Sequence, residues 1–310
     1  MPHPNPIPLY LNRRTITIGM LAAGTQIAAG LSPSSGSVLH EQIRLGAYDP
    51  EGYFADETDY SIEHLFLPWK DLAISSLFDA DRYAFERNRT LLLTLEPWTW
   101  STSERNTANA LLTDISIGAH DTTMRSVCEV LASLHSPLIL RWGHEMDNDN
   151  GQFIWANWPP DKYISAYRWM AEIAREMVPN MNLMWSPLGA DGMEAYYPGD
   201  DYVDLIGLSV FGLQAWDRAN YKRDQSFAEI FAPRYDRAVK FGKPIMVAEL
   251  GFSGDAAYVT SWYNQMRNLV DRFPSLIGIV YFNNPEVYDW PQGFGRPDWR
   301  IQKRTITIAD

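Results

Sequence analysis

Eight short apolar runs of β-strand type recur along the chain, and stretches of helical period separate most of them. They span residues 43–48, 62–69, 90–98, 138–145, 183–186, 203–211, 245–250 and 277–283. Leu91-Leu92-Leu93 and Leu138-Ile139-Leu140 are apolar without interruption, as strands buried on both faces require. Residues 161–178 follow Pro159-Pro160, with Asp161 placed to cap a helix whose stripe is Ile164, Tyr167, Ala171, Ala174 and Val178. Met124, Val127, Leu131 and Leu134 form a similar stripe in residues 121–135, and residues 226–241 and 256–272 also read as helical. Strand–helix alternation repeated eight times predicts parallel strands joined by helical crossovers. Eight such units in about 250 residues fit an α/β fold, a single (β/α)₈ (TIM) barrel. The competing open doubly wound sheet usually carries a G-x-G-x-x-G turn, which is absent here. The fifth unit is the weakest, because only a short helix fits between Ser186 and Val203.

The barrel is expected over residues 42–300, after an N-terminal extension or linker (1–41) and before a strand-like tail (301–310). Arg13-Arg14 followed by the apolar stretch 16–31 resembles a signal peptide. Thr17, Thr25 and Gln26 weaken that reading, and Thr15-Ile16-Thr17-Ile18 alternates like a half-buried strand. Residues 304–308 repeat residues 14–18, so two ordered strands that pair are the favoured expectation. The stretch is too short and interrupted for a membrane span. Ser32-Pro33-Ser34-Ser35-Gly36-Ser37 reads as a linker.

Composition narrows the partners. The 310 residues carry 38 acidic and 26 basic side chains, a net charge of −12, which argues against nucleic acid. Cys128 is the single cysteine, which excludes an intramolecular disulfide and a multi-cysteine zinc site. With 46% apolar and 21% charged residues the chain is of the folded type. Aromatics make up 13%, including 12 Trp. That content serves either a large core or a cleft for ligands with apolar faces and polar edges, of which sugar rings are one class.

A barrel places its active site at the C-terminal ends of its strands. Those ends are chemically loaded here: Pro68-Trp69-Lys70, Glu96-Pro97-Trp98-Thr99-Trp100, Arg141-Trp142-Gly143-His144-Glu145-Met146-Asp147, Trp185-Ser186, Ser209 and Phe211, Ala248-Glu249-Leu250-Gly251, then Tyr281, Asn283 and Asn284. Glu145 in the fourth unit and Glu249 in the seventh each follow an apolar run. Lying on roughly opposite sides of an eight-stranded ring, they can face one cleft. Hydrolysis of a glycosidic bond needs such a pair, one carboxyl protonated and one ionised, and a separation of about 5–5.5 Å would imply retention of configuration. The alternative for either Glu is an ion pair with Arg141 or another base at the barrel top.

The chain resembles glycoside hydrolase family 26, in the large clan of retaining (β/α)₈ glycosidases. The resemblance is carried by Leu138-Ile-Leu-Arg-Trp-Gly-His-Glu-Met146, Tyr197-Pro-Gly-Asp-Asp-Tyr-Val-Asp-Leu-Ile-Gly207 and Lys243-Pro-Ile-Met-Val-Ala-Glu-Leu-Gly251, supported by Glu96-Pro97-Trp98 and Met184-Trp185-Ser186-Pro187. With the strand order it covers residues 42–300. It implies Glu145 as acid/base and Glu249 as nucleophile, with His144 binding the sugar beside the scissile bond. Trp98, Trp155, Trp158, Trp185 and Trp290 become candidate stacking platforms, and Trp100, Trp142, Phe211, Tyr281 and Asn283 further substrate contacts. Core packing is the competing role for each Trp. Glu96 and Arg141 are expected to support rather than react. At the end of the sixth strand the family often carries a tyrosine close to the nucleophile, whereas this chain has Val210-Phe211-Gly212. Phe211 cannot donate to Glu249, so Tyr281 or His144 would have to compensate. The loop 147–155 also departs from a commoner glycine-rich continuation, which bears on substrate identity.

Other reaction classes lack their residues. His144-Glu145 has no second His at the metalloprotease spacing, since position 148 is Asn. No G-x-S-x-G elbow or phosphate loop occurs, and only Lys70 lies near a strand end for Schiff-base chemistry. A silent glycan-binding barrel is the rival from another class, but it would be expected to lose one carboxylate. The expectation is therefore an endo-acting β-glycanase working by double displacement, without metal or organic cofactor and as a monomer. Its partner is a polysaccharide or oligosaccharide, with β-1,4-mannan as first substrate and a mixed-linked or β-1,4-glucan as second. A polymeric substrate implies a secreted or periplasmic protein.

Overall fold

The computed structural model describes residues 43–301, apart from 71, 149–150, 157 and 266–268. The expected N-terminal extension, its signal-like stretch and the pairing of residues 14–18 with 304–308 lie outside the described residues. The eight runs form a closed ring of parallel strands: β1 (Arg44–Tyr48), β2 (Tyr60–Pro68), β3 (Thr90–Glu96), β4 (Leu138–Trp142), β5 (Asn182–Trp185), β6 (Leu205–Leu213), β7 (Ile245–Ser253) and β8 (Leu276–Phe282). Each strand pairs with the next, and β8 pairs with β1 to close the barrel. Around them run α1 (Ile74–Glu86), α2 (Ala108–Ser116), α3 (Asp121–Ala132), α4 (Pro160–Met177), α5 (Gln214–Tyr221), α6 (Phe227–Ala238), α7 (Ala256–Gln265) and α8 (Leu269–Arg272). As the short fifth unit required, only two 3₁₀ turns, Met193–Tyr196 and Asp200–Tyr202, lie between β5 and β6.

Local expectations need correcting at three places. Asp161 makes no capping hydrogen bond; α4 instead starts on Pro160, whose fixed φ and missing N–H suit a first helical position. Tyr163 rather than Ile164 is buried on its inner face. The fourth strand stops at Trp142, three residues before the expected Glu145.

The barrel interior is layered. Ile62, Leu92, Ile139, Met184, Leu205, Met246, Ala248 and Val280 form an apolar floor. Gly46 lets β1 approach it, since a Cβ there would sit 2.5 Å from the Ile62 Cβ. Strand side chains alternate faces, so two residues further on, the same inner face carries His64, Thr94, Arg141 and Ser186. This polar layer lies on the floor, at the end of the barrel where the active site is expected. A larger apolar cluster fills the space between the outer strand faces and the helices.

Candidate active site

Arg141 on β4 is fully buried and organises the polar layer. Its Nε donates to Ser186 Oγ at 2.8 Å. One terminal nitrogen donates to Thr94 Oγ1 at 3.2 Å and to Glu249 Oε1 at 2.5 Å, and the other reaches Ser209 Oγ at 3.5 Å. A guanidinium has only donors and stays charged, so its burial demands acceptors and one counter-charge. Glu249 supplies the charge. The ion pair that sequence reading set against a catalytic role is therefore present, and it is part of the site.

Glu249 reaches this layer through a break in register. Leu208 pairs with Val247, but the next residue, Ser209, pairs with Glu249. The extra residue in β7 is a bulge, a device that re-aims a side chain. With strict alternation after Ala248, the inner face would take Leu250 instead. Burial pushes Glu249 up to about 8; Arg141 pulls it down, and the charge of Glu145 pushes it up again.

Glu145 sits beyond β4 in a strained turn. Gly143 and Glu145 have φ of +54° and +51°, and a positive φ at a non-glycine residue costs on the order of 1–3 kcal/mol. Several contacts impose it. Glu145 N donates to Ser186 O at 2.7 Å, Trp155 Nε1 donates to His144 O at 2.7 Å, and Tyr163 Oη donates to Gly143 O at 3.1 Å. Asn148 Nδ2 donates to Glu145 Oε2 at 3.3 Å. Asp147 then ties this loop to the one after β5, accepting from the backbone N–H groups of Leu188, Gly189 and Ala190 at 2.6, 3.0 and 2.9 Å. Asp147→Ala would orphan three donors at once. We expect a stability loss of about 3 kcal/mol by denaturant titration, with kcat falling more than KM rises as Glu145 loses its placement. A change below about 0.5 kcal/mol would show that the tether is dispensable.

His144 is 3% exposed, and its Nδ1 has no partner among the described residues. Burial, Arg141 and His64 all favour its neutral form. Glu96 Oε2 accepts from Trp98 Nε1 at 2.9 Å and Trp100 Nε1 at 2.8 Å.

The aromatic expectations divide. Trp98, Trp142, Trp155, Trp158 and Trp185 are all at most 3% exposed and are core residues rather than platforms. Strand alternation turns Trp142 outward onto Tyr163 and Tyr167, and Trp185 onto Tyr197 and Phe241. Trp98 is sandwiched by Arg105, Phe153 and Trp155, and Trp158 donates to Ala108 O. Tyr281 also faces outward and donates to Trp299 O at 2.7 Å, so it cannot compensate for Phe211. Asn283 is fully buried and structural, donating to Asp49 Oδ1 and accepting from Ile301 N, both at 2.7 Å. Trp100, Phe211 and Trp290 remain half-buried, with Phe211 packed on Trp290, Trp299 and Phe282.

Sequence reading missed Tyr48, His64 and Thr94 and named Ser209 only as a strand end; the two-residue alternation places all four on the inner face. His64 lies 2.7 Å from Thr94 Oγ1 through Nε2. It also missed Glu286 in the loop after β8, whose carboxyl accepts from Trp299 Nε1 and raises Glu249 by its charge.

Against known families, the model for glycosyl hydrolase family 26 matches residues 101–234, a stretch that contains Glu145 and stops short of Glu249. Endoglucanase H of Acetivibrio thermocellus is 25% identical over 254 residues, covering 74% of this chain and 25% of that protein. Mannan endo-1,4-beta-mannosidase A and B of Caldalkalibacillus mannanilyticus is 25% identical over 172 residues, 51% of this chain and 29% of that protein. The chain thus spans about a quarter of the length of the curated relatives it matches. Among solved structures, a GH26 beta-mannanase from Bacteroides ovatus superposes with a TM-score of 0.59 at 18% identity, over 77% of this chain and 80% of that one.

Proposed function

We propose, from the glycosyl hydrolase family 26 model that matches residues 101–234, that the chain is a member of that family and a retaining, endo-acting β-glycanase. The observation that carries the reading is Glu249, brought by the β7 bulge onto a buried guanidinium in the mouth that Glu145 also occupies. In the first step an ionised Glu249 attacks the anomeric carbon while Glu145 gives its proton to the departing glycosidic oxygen. The C–O bond to the leaving sugar breaks and an ester to Glu249 forms. In the second, Glu145 takes a proton from water, the hydroxide oxygen bonds to the anomeric carbon, and Glu249 leaves as a carboxylate. Arg141 stabilises that carboxylate each time it is charged. His144, next to Glu145 in sequence and neutral, offers to a sugar hydroxyl a ring nitrogen that no described residue engages.

The substrate is a β-linked polysaccharide, which calls for export of the protein. β-1,4-Mannan is the first expectation. β-Glucan is the second reading, favoured because the endoglucanase matches 74% of this chain and the mannosidase 51%. Product analysis on mannan, lichenan, cellulose and xylan decides between them, with NMR of the first-formed anomer. Release of β-configured oligosaccharides of mixed length is expected; no release from any of the four, or an inverted anomer, overturns the proposal.

The nucleophile also sets a pH limb. Glu249 must be ionised to attack, and its carboxyl is raised to about 8. The ionised nucleophile is present above that value and is lost as pH falls through it, so the acidic limb of kcat/KM should climb from pH 6 to 8 and reach its midpoint near 8. A profile flat over that interval would mean that Arg141 holds the carboxylate ionised throughout.

A further inference from the structure

One hydroxyl in the mouth has no task in the mechanism above. Tyr48 ends β1, half-buried, with its ring edge-on to Phe66 (centroids 4.9 Å apart) and tilted against Phe282 (5.2 Å). Packing from β2 and β8 fixes where the phenol sits. Across the mouth it lies in the fields of two carboxylates, Glu96 and Glu249. No residue among those described hydrogen-bonds its hydroxyl. Other phenols of the barrel are engaged: Tyr163 donates to Gly143 O, Tyr281 to Trp299 O, and Tyr288 pairs with Arg105. Glu249 is served on one oxygen only, since among the described residues Arg141 alone donates to it, at Oε1. Phe211 adds nothing polar.

A donor held in place by aromatic packing, facing carboxylates but satisfied by none, fits a ligand group that accepts from it and donates onward. A pyranose hydroxyl does both. Resting on the glycanase reading, we propose that Tyr48 is a substrate-contacting residue whose hydroxyl donates to an oxygen of the sugar held over Glu249. Burial and the two carboxylates push the phenol up to about 12, so it stays a donor wherever the enzyme works. Its ring and Phe282 present an apolar surface to the same sugar, as pyranose C–H faces require.

Tyr48→Phe removes the hydroxyl and keeps the ring. Two readouts apply: kcat/KM on the polysaccharide that the parent chain degrades, and the affinity of Glu249→Gln protein, with and without Tyr48→Phe, for mannotetraose and cellotetraose by calorimetry. A loss of about 10- to 100-fold in kcat/KM and a weakening of about tenfold in tetrasaccharide affinity are expected. The melting temperature should move by no more than about 2 °C, because the ring packing is retained. Unchanged kcat/KM and affinity overturn the contact. Should the parent chain hydrolyse nothing, the glycanase reading falls by itself, and the tetrasaccharide affinities still decide for or against Tyr48.

Discussion

Glu249→Gln will abolish hydrolysis and also weaken the fold. Gln is nearly isosteric but cannot act as a carboxylate nucleophile, so kcat should fall on the order of 10⁴-fold or more on every polysaccharide the parent degrades. The second effect comes from beneath. Arg141 is fully buried, and among its partners only Glu249 carries charge; the rest are the hydroxyls of Thr94, Ser186 and Ser209. Removing one member of a buried ion pair typically costs about 3–5 kcal/mol, because the other charge is left desolvated. Arg141→Met should destabilise by a similar amount, and the double variant by clearly less than the sum of the two. Additive losses in urea titration would mean that the two residues act independently, against the 2.5 Å contact.

Glu145→Ala separates the two halves of the reaction. A polysaccharide leaves as a poor alkoxide and needs a proton, so kcat/KM should drop about 10³-fold or more. An aryl glycoside with an acidic phenol leaves unaided, so its first step should survive in the variant and the glycosyl-enzyme should accumulate. Azide, which needs no general base, then has room where the carboxyl stood and should yield a β-glycosyl azide. An α-azide product, or equal losses on aryl and polymeric substrates, would remove Glu145 from the acid/base role. Stability should change little or improve, because Ala relieves burial of the carboxyl, though the positive φ of residue 145 remains strained for any L side chain.

The sequence was most informative where burial on two faces leaves little choice. Uninterrupted apolar runs such as Leu91-Leu92-Leu93 marked strands directly, and the eightfold alternation led to the barrel. α1 was harder to see because a carboxylate interrupts its inner face. Leu77, Ala80, Asp81 and Ala84 are all buried, and Asp81 accepts from the backbone N–H groups of His135 and Ser136. Several of the aromatic side chains named from the sequence lie in the core for a geometric reason. Proximity to a strand end says nothing about which face a side chain takes, and a one-residue step turned Trp142, Trp185 and Tyr281 outward. Parity counted from the floor would have found His64 and Thr94, two residues beyond Ile62 and Leu92. It would have misplaced Glu249, since the bulge that turns it inward has no signature in Val247-Ala248-Glu249 itself.

The guanidinium at the bottom of the mouth has a bearing on how this protein can be cut and recombined. Its acceptors lie 45, 47, 68 and 108 residues away along the chain, on four other staves of the ring or just beyond their ends. A half-barrel severed after β4 would keep Arg141 with Thr94 alone and expose a charge that only ring closure can compensate. Chimeras made by exchanging halves with a homologue must therefore transfer Ser186, Ser209 and Glu249 as one inherited set, and productive complementation of two fragments would report closure of the ring as directly as any spectroscopic probe.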